Sequence, residues 1–110
     1  MKHVLQIAAE ELRQEIAEGR EILLLDVRNL EQYEKERIEG PNIQSLHIPY
    51  FLFLEEKEND FPAIPKDREV TVVCCRGNSS QWVCQHLAEQ GYTVRNLTGG
   101  MKCWNALQLV

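Results

Sequence analysis

The segment Cys74-Cys75-Arg76-Gly77-Asn78-Ser79-Ser80 brings a thiol, a guanidinium, an amide and two hydroxyls together around one glycine. The β-branched run Val70-Thr71-Val72-Val73 precedes it, and residues 81–90 read as a helix. A strand feeding a tight loop that opens a helix aims several backbone N–H groups at one point. A cysteine placed there has its thiolate stabilised, and a thiolate is a nucleophile. Arg76 adds a cation. Gly77 can take a positive φ and Asn78 tolerates one, so a tight reversal is easy here. Ser79 or Ser80 is expected to cap the helix. The expected result is a partly exposed, reactive Cys74 facing a small anion site made by Cys75, Arg76, Gly77, Asn78, Ser79 and Ser80. Five residues separate Cys74 from Ser80, which leaves room for one atom beyond the sulfur or a small oxyanion above it. Such a loop favours transfer of a single sulfur. The thiolate attacks a sulfane sulfur, an anionic leaving group departs, and a persulfide remains.

The bland alternative for paired cysteines after a strand is that both are small buried hydrophobes. The loop context favours a reactive Cys74. Cys75 is expected to point elsewhere and to be structural, or to resolve an oxidised neighbour. Cys84, inside the helix, and Cys103, on the last helix, are expected in the core. The spacing of the cysteines and of His3, His47 and His86 matches no zinc site, so no metal and no cofactor is expected.

The elements around the loop alternate in type. Residues 4–7 read as a short strand, and 8–18 as a helix with Leu12 and Ile16 on one face and Gly19 as its stop signal. Ile22-Leu23-Leu24-Leu25 lacks alternation, which marks a strand buried on both faces of a parallel sheet. Asp26 and Arg28 end that strand, and the simplest reading is a local ion pair followed by a helix cap at Asn29. Residues 30–35 form a short helix, 38–41 a turn, and 43–48 a strand closed by Pro49. Residues 50–58 read as one helix with a packed apolar part, 50–54, and a solvated acidic end. A surface connection covers 59–67. Strand 70–73, the cysteine loop, helix 81–90, strand 92–97, a Thr98-Gly99-Gly100 turn and helix 101–107 complete the chain. Strands separated by gaps too long for hairpins predict an α/β fold with a mainly parallel sheet. Ligands of such sheets bind beyond the carboxyl ends of the strands. Both Asp26-Val27-Arg28 and the Cys74 loop lie there.

With 110 residues, the expectation is one domain over residues 1–110. A net charge of −5 with no Lys/Arg-rich segment argues against nucleic acid. Met1-Lys2-His3-Val4 runs into mixed polar sequence, so no signal peptide is expected. No apolar run approaches the ~18 residues that span a bilayer. The expected compartment is the cytoplasm, with no membrane partner.

Taken together, these motifs resemble those of the rhodanese-like sulfurtransferases. Asp26-Val27-Arg28 with Glu31 and Tyr33 is similar to the family's Asp-Val-Arg…Glu-Tyr signature. Arg37-Ile38-Glu39-Gly40 stands where the family often has His-Ile-Pro-Gly, and His47-Ile48-Pro49 where it has Asn-Ile-Pro. The loop resembles Cys-x-x-Gly-x-x-Ser, and Asn96-Leu97-Thr98-Gly99-Gly100-Met101-Lys102-Cys103-Trp104 resembles the Leu-x-Gly-Gly-x-x-x-Trp ending. The resemblance covers about residues 5–107. It implies a single-domain rhodanese fold, an α/β domain with a five-stranded, mainly parallel sheet flanked by helices on both faces, with Cys74 carrying a persulfide. It also implies thiosulfate or a persulfide as donor, and cyanide or a biological thiol or protein as acceptor. Asp26 and Arg28 carry over as supporting residues. Ser79 stands where many thiosulfate-using members have Arg or Lys, which leaves Arg76 as the loop's cation. Two other readings stay open: a persulfide carrier or interaction module without turnover, and a relative that handles phosphate esters or arsenate. The second calls for a loop one residue longer.

Overall fold

The computed structural model describes residues 4–55, 61 and 63–108. Its five strands are β1 (Leu5–Ile7), β2 (Ile22–Asp26), β3 (Ile43–His47), β4 (Glu69–Val73) and β5 (Thr93–Leu97). They form one sheet in the order β1-β5-β4-β2-β3, with every neighbouring pair parallel. The helices are α1 (Ala9–Ala17), α2 (Leu30–Lys35), α3 (Tyr50–Glu55), α4 (Asn78–Glu89) and α5 (Gly100–Gln108).

The apolar run of β2 is buried along its whole length because successive side chains enter two different cores. Leu23 and Leu25 join Val70, Val72 and Val94 beneath Phe53 of α3 and Val83 and Leu87 of α4. Ile22 and Leu24 join Ile7, Val73 and Leu97 against Leu12 of α1 and Met101 of α5. Each such leucine contributes about 1.5–3 kcal/mol on leaving water, and together they pin β2 and β4 at the centre of the sheet. The expected helices on both faces are therefore present.

Two expectations change. Within 50–54, only Phe53 is fully buried, while Phe51 and Leu54 are exposed. A six-residue helix lying on a surface turns one narrow face inward. The connection after it is not wholly superficial: Ile64 is buried, and the Phe61 ring packs 4.4 Å from that of Phe53. The acidic end expected at 56–58, like residues 59, 60 and 62, lies outside the described residues.

The strand order creates the site. β2 continues through α2 to β3 on one side, and β4 continues through α4 to β5 on the other. β2 and β4 are themselves neighbours, with Asp26 beside Val73. Their connections diverge, and a crevice opens between them at the carboxyl ends.

Candidate active site

A pocket of about 320 Å³ fills this crevice. Val27, Arg28, Asn29 and Gln32 line it from the β2 side, and Cys74, Cys75, Arg76, Asn78 and Ser79 from the β4 side. Cys74 follows the last residue of β4. Its Sγ accepts the Gly77 N–H at 3.0 Å and lies 3.1 Å from Ser80 Oγ. Cys74 is buried to 5% exposure, deeper than the partly exposed thiol expected, and it meets the pocket only through that small remainder.

The helix after the loop starts three residues earlier than its sequence pattern implies. α4 begins at Asn78, and its cap residue is Gly77 at φ 92° with no side-chain cap. Neither Ser79 nor Ser80 caps it, because both already lie in its first turn. Ser79 lines the pocket, whereas Gly77 and Ser80 are buried beneath it. The first-turn amides of α4 have no intrahelical acceptor, and their partial positive charge lies against the pocket wall that Asn78 and Ser79 form.

The other cysteines divide differently from expectation. Cys75 does not turn away from the site. It is exposed, lines the same pocket, and directs its thiol at Gln32 Oε1 across 3.5 Å. Cys103 is exposed too, because α5 packs through Met101, Trp104 and Leu107 instead. Cys84 is buried as expected, and burial, reinforced by nearby Cys74, pushes its thiol up to about 12. It stays neutral.

Asp26 and Arg28 form the ion pair expected of them. Arg28 Nε lies 3.0 and 3.1 Å from the two carboxylate oxygens, and Nη2 lies 2.8 Å from Oδ2. The Arg28 N–H also donates to Oδ1 at 2.9 Å, and Nη2 donates to the Glu36 carbonyl at 2.5 Å. Both residues are buried. Removing one partner of such a pair costs about 3–5 kcal/mol, because the other charge is stranded. Arg28 reaches the pocket wall, yet its charge is spent on Asp26. Arg76 also lines the pocket and, among the described residues, makes no ion pair. On the far side of the wall, His47 Nε2 meets the Arg28 carbonyl at 2.7 Å while Tyr33 stacks on the ring.

The Gly99-Gly100 turn braces the loop from behind. The amides of Met101 and Lys102, at the start of α5, donate to the carbonyls of Cys74 and Cys75 at 2.8 and 2.9 Å. A Cβ on Gly77 would lie 2.9 Å from the Gly99 nitrogen. The glycines of the two motifs therefore let two helix starts meet.

Reading the sequence missed Asn29 and Gln32 in the wall, and Asn96 and Gln6 beneath the sulfur. Ser80 Oγ donates to Asn96 Oδ1 at 2.5 Å, and Asn96 Nδ2 donates to Gln6 Oε1 at 3.0 Å. A polar Asn96 two residues after the apolar Val94, and so on the same face of a strand, was the available signal. Among the described residues, no group of three or more His, Cys, Asp or Glu is placed to hold a metal ion, and no helix is long and apolar enough to cross a membrane.

The model of the rhodanese-like domain family matches residues 8–107. The chain belongs to that family. This rhodanese-like domain is 38% identical over 93 residues to the thiosulfate sulfurtransferase GlpE of Coxiella burnetii, covering 84% of this chain and 79% of that one. It is 34% identical over 100 residues to a sulfurtransferase of Allochromatium vinosum, covering 90% and 86%. Among solved structures, a rhodanese-like domain protein from Staphylococcus aureus superposes with a TM-score of 0.76 at 26% identity, over 92% and 91% of the two chains. The fold expected from the resemblance is thus present, and the expectation of a sulfurtransferase agrees with the names of both relatives.

Proposed function

We propose that this rhodanese-like domain is a sulfurtransferase that moves a sulfane sulfur through a persulfide on Cys74. The observation that carries the reading is the seat of Cys74 Sγ at the base of the crevice, with the Gly77 N–H donating to it. In the first half-reaction the Cys74 thiolate attacks the sulfane sulfur of a small anionic donor, thiosulfate or a persulfide. An Sγ–S bond forms, the donor's S–S bond breaks, and the leaving group departs with the electron pair. Arg76 attracts the anion, and the first-turn amides of α4 add positive potential beside it. In the second half-reaction a thiol or protein acceptor takes the terminal sulfur and restores the thiolate. Cys74 is catalytic in this scheme. Asp26 and Arg28 are supporting residues, because their charges satisfy each other. The cytoplasm, where thiols stay reduced, is the compartment such chemistry suits.

Incubation with thiosulfate tests the reading. The intact protein gains the mass of one sulfur, and Cys74→Ala gains none. A wild-type protein without the adduct, or a variant with it, overturns the assignment. Turnover with cyanide distinguishes an enzyme from a carrier that only loads.

A further inference from the structure

The hydrogen bonds beneath Cys74 have only one consistent direction. Asn96 Nδ2 donates to two carbonyl oxygens, Gln6 Oε1 at 3.0 Å and the Gly77 backbone at 3.3 Å. Gln6 Oε1 also accepts from Thr98 Oγ1 at 3.1 Å. The Asn96 amide is thereby oriented, and its Oδ1 faces Ser80. An amide oxygen has no proton to give, so the Ser80 hydroxyl is the donor across the 2.5 Å contact. A hydroxyl has one proton. With that proton on Asn96, Ser80 Oγ meets Cys74 Sγ at 3.1 Å only as an acceptor, and Cys74 must supply an S–H. Ser80 is fully buried and Asn96 nearly so, which leaves little room for water to take either role.

We propose that Asn96 is a positioning residue that sets when Cys74 becomes a thiolate. The inference rests on the reading of Cys74 as the nucleophile. In the resting protein Asn96 holds the Ser80 proton away from the sulfur, and Cys74 stays a thiol. When the thiol proton leaves to solvent through the pocket, the hydroxyl turns from Asn96 Oδ1 to the sulfur. Ionisation thus exchanges one buried hydrogen bond for a stronger, charge-assisted one. The thiolate then takes the sulfane sulfur as described above. The inner sulfur of the persulfide carries no charge, so the hydroxyl returns to Asn96. The Ser80 proton thus leaves Asn96 and returns to it between the resting thiol and the persulfide.

Other groups near Cys74 contribute a constant background. They are Cys75 and Arg76 in the loop, Arg28 with Asp26 after β2, Cys84 on α4 and Lys102 on α5. None of them is altered in the following test.

The pH profile of Cys74 alkylation by iodoacetamide, resolved by residue with mass spectrometry, reads the exchange directly. In Asn96→Ala the hydroxyl is free to serve the thiolate, and the midpoint falls by about one pH unit, the equivalent of one hydrogen bond. In Ser80→Ala the thiolate loses its donor, and the midpoint rises. The double variant matches Ser80→Ala alone, because Asn96 acts only through the hydroxyl. A general loosening of the loop moves both single variants in the same direction. That outcome, an unchanged Asn96→Ala, or additive shifts in the double variant, overturns the proposal. Asn96→Leu keeps more of the volume and removes the acceptor, and it serves if Asn96→Ala does not fold. Sulfur uptake by Cys74→Ala would overturn the nucleophile reading and leave these shifts standing, so the two failures are distinguishable.

Discussion

Gly100 lies directly against the peptide of Cys74. A Cβ at position 100 would come 2.3 Å from the Cys74 carbonyl oxygen and 2.8 Å from the Cys75 carbonyl carbon, and the residue's φ is +56°. The contact explains why a helix 26 positions downstream governs the loop: the Met101 amide can reach the Cys74 carbonyl only where position 100 has no side chain.

Gly100→Ala therefore strains the backbone and pushes two backbone segments apart. The expected loss of stability is about 2–4 kcal/mol, read as a lower urea midpoint. Sulfur uptake from thiosulfate should also slow in whatever fraction stays folded, because the displaced carbonyls no longer set the loop. Wild-type stability in this variant would show that the close approach is not a constraint.

Arg76 and Arg28 both line the pocket, and among the described residues only Arg28 has its charge matched by a carboxylate. Arg76→Ala should raise KM for thiosulfate about two- to fivefold with little change in kcat, because an exposed charge pair is worth ~1 kcal/mol or less. Added salt should weaken thiosulfate binding in the wild type and have a smaller effect in the variant. Steady-state kinetics at two ionic strengths decide it. An unchanged KM would assign anion binding to the backbone amides alone.

At the far side of β4 and β5, Glu15 of α1 receives two hydrogen bonds from Arg95, at 2.9 and 2.6 Å. The hydrogen bond from Arg95 holds the Glu15 carboxyl below its usual value of 4.5, against the opposing effect of burial. The folded value is depressed, so the unfolded chain takes up this proton first as pH falls. The stabilisation is complete above about pH 4.5 and disappears as pH drops through the depressed value. Glu15→Gln should cost about 1–2 kcal/mol at neutral pH. It should also flatten the decline in stability below pH 4.5 relative to the wild type. Urea melts of the two proteins from pH 3 to 7 test this, and parallel declines would exclude Glu15 as a source of acid sensitivity.

The unbroken apolar run of β2, the β-branched run of β4 and the spacing between them were enough to predict a parallel α/β sheet. They also placed Cys74 and Asp26 at its carboxyl edge. Those features are local: periodicity, run length and stop signals depend on residues a few positions apart. The ion pair between Asp26 and Arg28, two residues apart, was legible for the same reason.

The hydrogen-bond partners of the Cys74 sulfur were decided by tertiary structure. Ser80 bonds Asn96 across 16 positions, and Asn96 bonds Gln6 across 90. No local pattern encodes such contacts. They exist because β5 lies between β1 and β4, and that order brings Gln6 beside Asn96. The same packing left Cys75 and Cys103 exposed and turned Ser80 from an expected helix cap into a buried bridge. The sequence by itself determined which sulfur sits at the end of β4. The assembled sheet decided which groups touch it, because hydrogen bonds are made between neighbours in space.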